Sequence, residues 1–201
     1  MRCYHSGVTR QNPRQLPRDV TTVLLDRDGV LNQKMPEGRY VERWEEFHVL
    51  PGVPEAVARL NRAGLRVIVV SNQRGIALGL YTAADVDAIH AAFQRLLSQH
   101  GAHIDAFFFC PHLVGQCKCR KPLPGLFEQV VEAFPTVTAA TCVMMGDSLV
   151  DMEFGRRLGI ATVLIDGETG QASGTAKIAR ECADFRFPSL AEAVNALLDS
   201  P

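Results

Sequence analysis

Short apolar runs alternate with segments of helical spacing along most of the chain. Five such runs occupy residues 20–26, 65–71, 104–110, 141–147 and 160–166. Runs of this length, rich in branched and aromatic residues, are typical of strands buried on both faces. Because strands that alternate with helices form a parallel sheet covered on both sides, the pattern predicts an α/β fold. We expect a three-layer sandwich with a mainly parallel sheet.

Three of the intervening segments have recognisable helix boundaries. Residues 51–64 have one apolar face and end at a glycine, which suits the left-handed position after a helix. Thr82, with Asp85 three residues later, predicts the start of a second helix. Ser189 and Glu192 form a capping-box sequence ahead of a third.

The length and charge of the chain restrict its class. Its 201 residues suit one domain, which we place at residues 19–201, and residues 1–18 predict a flexible tail. Lys and Arg number 21 against 22 Asp and Glu, so no overall field attracts nucleic acid or an anionic membrane. The chain has neither an apolar run of about 20 residues nor a signal-peptide core. We expect a cytoplasmic protein and take it to be a monomer.

Two carboxylates follow the first predicted strand. Asp26 and Asp28 lie two residues apart, with Gly29 behind them, at the sheet edge where ligands bind. A carboxylate there can attack phosphorus, and its neighbour can transfer the proton of the leaving oxygen. Carboxylates and a phosphate together require a hard cation, for which oxygen ligands favour Mg²⁺. Taken alone, the motif is equally compatible with a solvated Asp-Gly turn.

Three later groups also lie at predicted strand ends or helix starts. Ser71 and Asn72 supply a hydroxyl and an amide that can bind phosphoryl oxygens. Lys121 can neutralise charge on the nucleophile and on the transferring group. Asp147 can be a second magnesium ligand, and Asp151 lies on the same side of the next helix, where we expect it to brace the site.

These residues follow the order of the four motifs of the haloacid dehalogenase superfamily, which the chain resembles from about Val20 to Leu198: Asp26-x-Asp28, Ser71, Lys121 and Asp147-x-x-x-Asp151. The resemblance implies a Rossmann-like fold, with Asp26 as nucleophile and Asp28 as general acid and base. It also implies that Ser71 and Lys121 hold the phosphoryl group. Magnesium would lie between Asp26 and Asp147 and contact the main-chain carbonyl of Asp28.

Three cysteines and a histidine cluster just ahead of the lysine motif: Cys110, His112, Cys117 and Cys119. Four such ligands suit a tetrahedral, closed zinc site with a structural role. The alternative is a set of ordinary buried thiols with a surface histidine. Because the cluster runs directly into Arg120 and Lys121, we expect bound zinc to fix these cations at the mouth of the site.

Within the superfamily, the zinc loop and the run Cys-Lys-Cys-Arg-Lys-Pro at residues 117–122 resemble two groups of phosphatases. These are the D-glycero-D-manno-heptose-1,7-bisphosphate 7-phosphatases and the histidinol-phosphate phosphatases. The run Ser-Asn-Gln-Arg-Gly-Ile-Ala at residues 71–77 looks like the heptose group, whereas the short zinc loop looks like the histidinol group. The resemblance implies a small phosphorylated sugar, heptose 1,7-bisphosphate first, with histidinol phosphate or another small metabolite as the alternative.

We expect no large cap domain, because the intervals between motifs are filled by predicted strands and helices. Recognition then falls to residues 32–40, residues 73–80 and the zinc loop. Five residues are expected to bind substrate: Arg27, Asn72, Gln73, Arg74 and Arg120. Arg120 is well placed for a second anionic group, which favours a bisphosphate.

Two classes other than enzymes fit part of the pattern. A receiver-like signalling domain also phosphorylates an aspartate in a parallel sheet. Asp28 argues against it, because acid and base catalysis shortens the life of a phosphoryl switch. A zinc-dependent nucleic-acid module is opposed by the balanced charge and by the lack of a basic helix.

Overall fold

A parallel sheet forms the centre of the protein, whose computed structural model describes residues 16–167 and 174–199. Within these ranges the strands are β1 (Thr22–Leu25), β2 (Arg66–Asn72), β3 (Ala106–Cys110), β4 (Cys142–Gly146), β5 (Ala161–Ile165) and β6 (Phe185–Phe187). Their order in the sheet is β3-β2-β1-β4-β5-β6, and every neighbouring pair is parallel. The chain adds β2 and β3 on one side of β1 and β4 to β6 on the other, so the strand order reverses between β1 and β4.

Strand β1 has neighbours on both edges and helices on both faces. Val23 and Leu25 pack into the core on one side of the sheet, and Leu24 packs into the core on the other. This division follows from the two-residue period of a strand. All three side chains are fully buried, which explains why the strand is continuously apolar in sequence.

Helices cover both faces of the sheet. On the first face lie α1 (Val53–Arg62), α2 (Ala83–Gln99) and α6 (Leu190–Leu198). On the second lie α3 (Gly125–Ala133), α4 (Leu149–Leu158) and α5 (Gly174–Cys182). Two short 3₁₀ turns, Trp44–Glu46 and Ala139–Thr141, complete the described elements. The predicted three-layer α/β sandwich is confirmed.

The predicted helix starts are confirmed by their hydrogen bonds. The Thr82 hydroxyl accepts from the Asp85 N–H at 3.2 Å, and the Asp85 carboxylate accepts from the Thr82 N–H at 2.8 Å. The Ser189 hydroxyl accepts from the Glu192 N–H at 3.2 Å. Strand β6 was not anticipated, because its three residues are too few to show a period.

Most of the predicted tail, residues 1–15, lies outside the described residues. Leu16 is 5% exposed and packs into the core, so the packed region includes the last part of the segment that we expected to be a tail. Between Asp28 and Ser71 the described chain forms only a 3₁₀ turn, α1 and most of β2, so this interval holds no cap domain. No helix among the described residues is long and apolar enough to cross a membrane.

Helix α2 buries a histidine against the sheet. His90 is 4% exposed and stacks on Phe107, with ring centroids 4.2 Å apart. Neither ring nitrogen has a hydrogen-bond partner among the described residues. Burial lowers the pKa of His90 to about 3, and the positive charge of Arg27 lowers it as well. His90 is therefore neutral in the folded protein down to acidic pH.

We predict that His90 destabilises the protein in acid. Between about pH 6.5 and pH 3 the unfolded chain binds a proton at this histidine and the folded protein does not. The free energy of unfolding should thus fall by up to about 1.4 kcal/mol per pH unit as the pH is lowered. His90→Phe, which keeps the stacking, should have a flatter profile in urea unfolding from pH 8 to pH 4. The same change at the exposed His48 should leave the profile as in the wild type, and parallel profiles for wild type and His90→Phe would refute the prediction.

Candidate active site

The carboxyl end of β1 lies beside the point where the sheet order reverses, and the next residue is Asp26. The Asp26 N–H donates to the carbonyl of Met145 in β4 at 3.0 Å, which fixes the residue against the neighbouring strand. In an open parallel sheet, ligands bind in the crevice at such a reversal. The predicted nucleophile therefore lies at the ligand-binding edge.

Lys121 joins two of the predicted carboxylates. Its ammonium lies 2.9 Å from Asp26 Oδ1 and 2.6 Å from Asp151 Oδ1, and the lysine is only 3% exposed. The Asn72 side chain fixes the lysine backbone, since it donates to the Lys121 carbonyl and accepts from the Lys121 N–H, both at 3.0 Å. These bonds use one donor and one acceptor position of the Asn72 amide, and its contact with substrate stays a prediction. The segment before α3 thus delivers a cation to the end of β1.

Asp151 is held at both of its carboxylate oxygens. While Oδ1 accepts from Lys121, Oδ2 accepts from the Ser148 N–H at 3.2 Å and from the Ser148 hydroxyl at 2.5 Å. A Cβ atom on Gly146 would lie 2.3 Å from the Asp151 Cβ, so a glycine at the end of β4 is what admits this side chain. Asp151 is therefore a brace between Lys121 and the start of α4, as expected.

Asp147 completes a group of three carboxylates. One oxygen from each of Asp26, Asp147 and Asp151 lies within 4.8 Å of the others. Gly29 has a φ of 93°, and a Cβ there would lie 2.3 Å from Asp147 Oδ2, so this glycine lets the ends of β1 and β4 approach. Asp147 Oδ1 is buried without a hydrogen-bond partner among the described residues. An unpaired buried carboxylate oxygen beside further carboxylates fits the oxygen ligands that magnesium prefers.

Negative charge exceeds positive charge around the three carboxylates. Burial raises the pKa of Asp26 to about 7; Lys121 lowers it, but the neighbouring carboxylates raise it. Burial likewise raises the pKa of Asp147. Repulsion between these groups disfavours their ionised forms, and a divalent cation would relieve it.

Asp28 lies among hydrogen-bond donors. Arg27 Nη2 lies 2.9 Å from both of its oxygens, and the amides of Asn32 and Gln73 each donate to it at 3.0 Å. Burial by itself raises the pKa of Asp28, but the charge and hydrogen bonds of Arg27, with those of Asn32 and Gln73, hold the pKa below its usual value. The resting protein therefore carries Asp28 as a carboxylate.

We expected Arg27 and Gln73 to bind substrate, which stays a prediction; in the structure both side chains are buried. They are 1% and 2% exposed, and both donate to Asp28. Gln73 Nε2 also donates to Ser71 Oγ at 2.8 Å, and the Tyr81 hydroxyl donates to Gln73 Oε1 at 2.8 Å. These buried contacts position Asp28 and Ser71. Sequence patterns do not reveal them, because an arginine or glutamine in a loop is ordinarily exposed.

The two remaining predicted substrate ligands keep exposed surface. Arg74 is exposed, and its Nε donates to the Tyr40 hydroxyl at 2.5 Å. Arg120 is half-buried, and its Nη1 donates to the His112 carbonyl at 3.3 Å. Both guanidinium groups retain donors for an anion, since each has five N–H bonds.

The predicted zinc ligands come together as expected from their spacing: Cys110, His112, Cys117 and Cys119 have ligand atoms within 4.8 Å of one another. The Cys117 sulfur lies 3.3 Å from that of Cys119 and 3.5 Å from that of Cys110. Sulfurs at about 2.3 Å from one zinc ion in a tetrahedron would be slightly farther apart, so the cluster needs only a small expansion to hold one. The Arg120 N–H also donates to the Cys117 sulfur at 3.4 Å.

Three residues of the site were missed from the sequence. Asn32 and Tyr81 bind Asp28 and Gln73, and the ammonium of Lys34 lies 2.6 Å from Asp147 Oδ2. A polar residue four positions after Asp28 is a weak signal for Asn32. Nothing in the spacing marks Lys34, because its partner lies 113 residues away in sequence.

Fold and site together define a hydrolase with an aspartate at the end of β1. The family model of the haloacid dehalogenase-like hydrolases matches residues 9–159. The chain belongs to this family.

The chain is similar in sequence to two bacterial phosphatases. The chain is 37% identical over 168 residues to the D-glycero-beta-D-manno-heptose-1,7-bisphosphate 7-phosphatase of Bordetella bronchiseptica, covering 81% of this chain and 92% of the relative. It is 39% identical over 140 residues to the D-glycero-alpha-D-manno-heptose-1,7-bisphosphate 7-phosphatase of Mycobacterium bovis, covering 69% and 73%. The crystal structure of the B. bronchiseptica D,D-heptose 1,7-bisphosphate phosphatase, complexed with magnesium and phosphate, has a TM-score of 0.78. It is 36% identical and covers 90% of this chain and 99% of that one.

We predict that protons and magnesium compete for Asp26. Because the pKa of Asp26 is raised to about 7, its carboxylate is available above that pH and protonated below it. The magnesium dissociation constant, measured by titration calorimetry, should rise as the pH falls below 7, by up to about tenfold per unit. Asp26→Asn should bind magnesium more weakly and with a smaller pH dependence. Equal affinity of the wild type at pH 6 and pH 8 would contradict the prediction.

Proposed function

We propose that the protein is a magnesium-dependent phosphatase that removes the 7-phosphate of D-glycero-D-manno-heptose 1,7-bisphosphate through an aspartyl-phosphate on Asp26. The observation that carries the proposal is the buried ammonium of Lys121 between Asp26 and Asp151 at the end of β1. A carboxylate beside a fixed cation in the ligand-binding crevice is a nucleophile with a charge partner for the phosphoryl oxygens.

The residues support a two-step reaction. In the first step an Asp26 oxygen attacks phosphorus, the bond from phosphorus to the sugar oxygen breaks, and Asp28 protonates that oxygen. In the second, Asp28 takes a proton from water, the water oxygen attacks phosphorus, and the bond to Asp26 breaks. Asp28 therefore starts and ends each turnover protonated. Because Asp28 is ionised in the resting protein, it must gain a proton before the first turnover.

Two further side chains support the transfer. Ser71 Oγ already accepts from Gln73, which leaves its O–H to donate to a phosphoryl oxygen. Lys121 offers its third N–H to the same group. Asp26, Asp147 and the carbonyl of Asp28 would hold magnesium, which supplies positive charge against the transferring phosphoryl group when bound.

The substrate is proposed from the relatives and from the surface cations. The relatives' names agree on a heptose 1,7-bisphosphate and differ in the anomer, so the proposal leaves the anomer open. Arg120 follows the zinc ligands directly and precedes Lys121, and we assign it to the distant phosphate. Arg74 lies on the loop after β2 and can contact the sugar. A cytoplasmic location and a monomeric state stay predictions.

We also propose that Cys110, His112, Cys117 and Cys119 bind one structural zinc ion. Four protein ligands leave no open position for water or substrate, which favours a structural role. The Arg120 N–H that donates to the Cys117 sulfur ties the cluster to the segment carrying Lys121. Zinc would therefore act on catalysis through the position of these cations.

We predict that Asp26→Asn abolishes turnover and preserves the fold. The side chains have nearly the same shape, but an amide cannot attack phosphorus, so phosphate release should fall by about a thousandfold or more. The assay compares heptose 1,7-bisphosphate, a heptose monophosphate and histidinol phosphate, and the bisphosphate should be the best substrate. Asp19→Asn, at an exposed position, is the matched control. Near-normal activity of Asp26→Asn would exclude the mechanism, and preference for histidinol phosphate would exclude the proposed substrate.

We predict about one equivalent of zinc in the purified, reduced protein. Cys117→Ser should lose the metal, lower the melting temperature and raise KM more than it lowers kcat, because the loop holds the cations at the site. Cys142→Ala alters a cysteine in β4 and should keep its zinc while serving as the stability control. Metal analysis of the wild type that finds no zinc would refute the site.

A further inference from the structure

One cation of the site has no place in the reaction described above. Lys34 lies in the segment between β1 and α1, and its ammonium is 2.6 Å from Asp147 Oδ2. Its side chain is 48% exposed, whereas Lys121 is buried among the carboxylates. The two lysines thus contact different carboxylates of the same acidic group, Lys121 from a buried position and Lys34 from an exposed one.

The charges that attract Lys34 are those that would hold a metal. Burial lowers the pKa of Lys34, but the carboxylate of Asp147, and behind it those of Asp26 and Asp151, raise it above its usual value. These three side chains are also the group whose oxygens lie within 4.8 Å of one another. The Lys34 ammonium therefore supplies part of the positive charge that a metal ion would supply there.

We propose that Lys34 is a tethered counter-ion of Asp147 that opposes a divalent cation there and so weakens the affinity of the site for magnesium. This inference rests on the proposed magnesium site at Asp26 and Asp147. Lys34 would then help to set the magnesium concentration at which the site becomes occupied.

Lys34 would oppose magnesium binding whichever oxygen of Asp147 the ion contacts. An ion on Oδ2 competes directly with the Lys34 ammonium for one atom. An ion on the buried Oδ1 lies a carboxylate's width away, where two positive charges repel each other at short distance. In both cases magnesium binds at the expense of the Lys34 contact.

The segment allows Lys34 to withdraw. Asn32 is buried and bonded to Asp28, and the Gln33 N–H donates to the His48 carbonyl at 2.8 Å, which anchors the chain just before the lysine. From Lys34 to Arg39 all residues but Met35 are exposed. The side chain can thus turn into solvent without unpacking the core.

Titration calorimetry with magnesium chloride on the whole protein tests the proposal. Lys34→Gln should bind magnesium about two- to fivefold more tightly than the wild type, the range expected for loss of a partly exposed ion pair. Lys177→Gln removes the same charge from an exposed position on α5 and should bind as the wild type does. Lys34→Arg keeps the charge and should bind close to the wild-type value. Without magnesium, Lys34→Gln should melt at a lower temperature than Lys177→Gln.

The outcomes separate this inference from the proposed function. Equal affinities of Lys34→Gln and Lys177→Gln would overturn the counter-ion role and leave the magnesium site intact. Weaker binding by Lys34→Gln would also overturn it, because Lys34 would then orient Asp147 for the metal. A wild type that binds no magnesium would overturn the metal site itself. Lys34→Met repeats the test if the glutamine variant is poorly folded.

Discussion

The buried contact of Lys121 with Asp26 and Asp151 is the interaction on which the site depends. The ammonium of a lysine that is 3% exposed must be paired, because an unpaired buried charge is strongly destabilising. Its two partners come from the end of β1 and from the first turn of α4, while the lysine itself precedes α3. Three distant segments are thus forced to meet at the reversal of the sheet. This arrangement requires a glycine at position 146, since any side chain there would occupy the place of Asp151.

This contact leaves negative charge unmatched, and that imbalance organises the outer part of the site. One lysine cannot neutralise three neighbouring carboxylates, and burial together with the charges of the other carboxylates keeps the pKa of Asp26 raised in spite of the ion pair. The unmatched negative charge includes that of Asp147. One oxygen of Asp147 is buried and unpaired among the described residues, and the other contacts the Lys34 ammonium. The same excess of negative charge favours both the proposed magnesium ion and the Lys34 ammonium that would compete with it.

Much of the fold and part of the site could be predicted from the sequence. Strand ends and helix caps such as Thr82 depend on local patterns, and Asp26 follows a strand whose burial is evident from its composition. The partners of Asp28 could not be predicted, because the burial of Arg27 and Gln73 is decided by packing that joins separate segments. The Lys34 contact joins residues 113 positions apart. Local periodicity carries no information about such a pair.

The position of Lys121 is determined from two sides, and this links the two proposed metal sites. On one side, the Asn72 amide at the end of β2 holds both backbone groups of the lysine. On the other, Cys119 lies two residues ahead, and the Cys117 sulfur accepts from the N–H of Arg120. A shift of the cysteine loop would therefore pull on the lysine backbone against the Asn72 clamp. Because Lys121 also pairs with Asp26, displacement of that loop would move the positive charge beside Asp26 without any direct contact between the loop and Asp26.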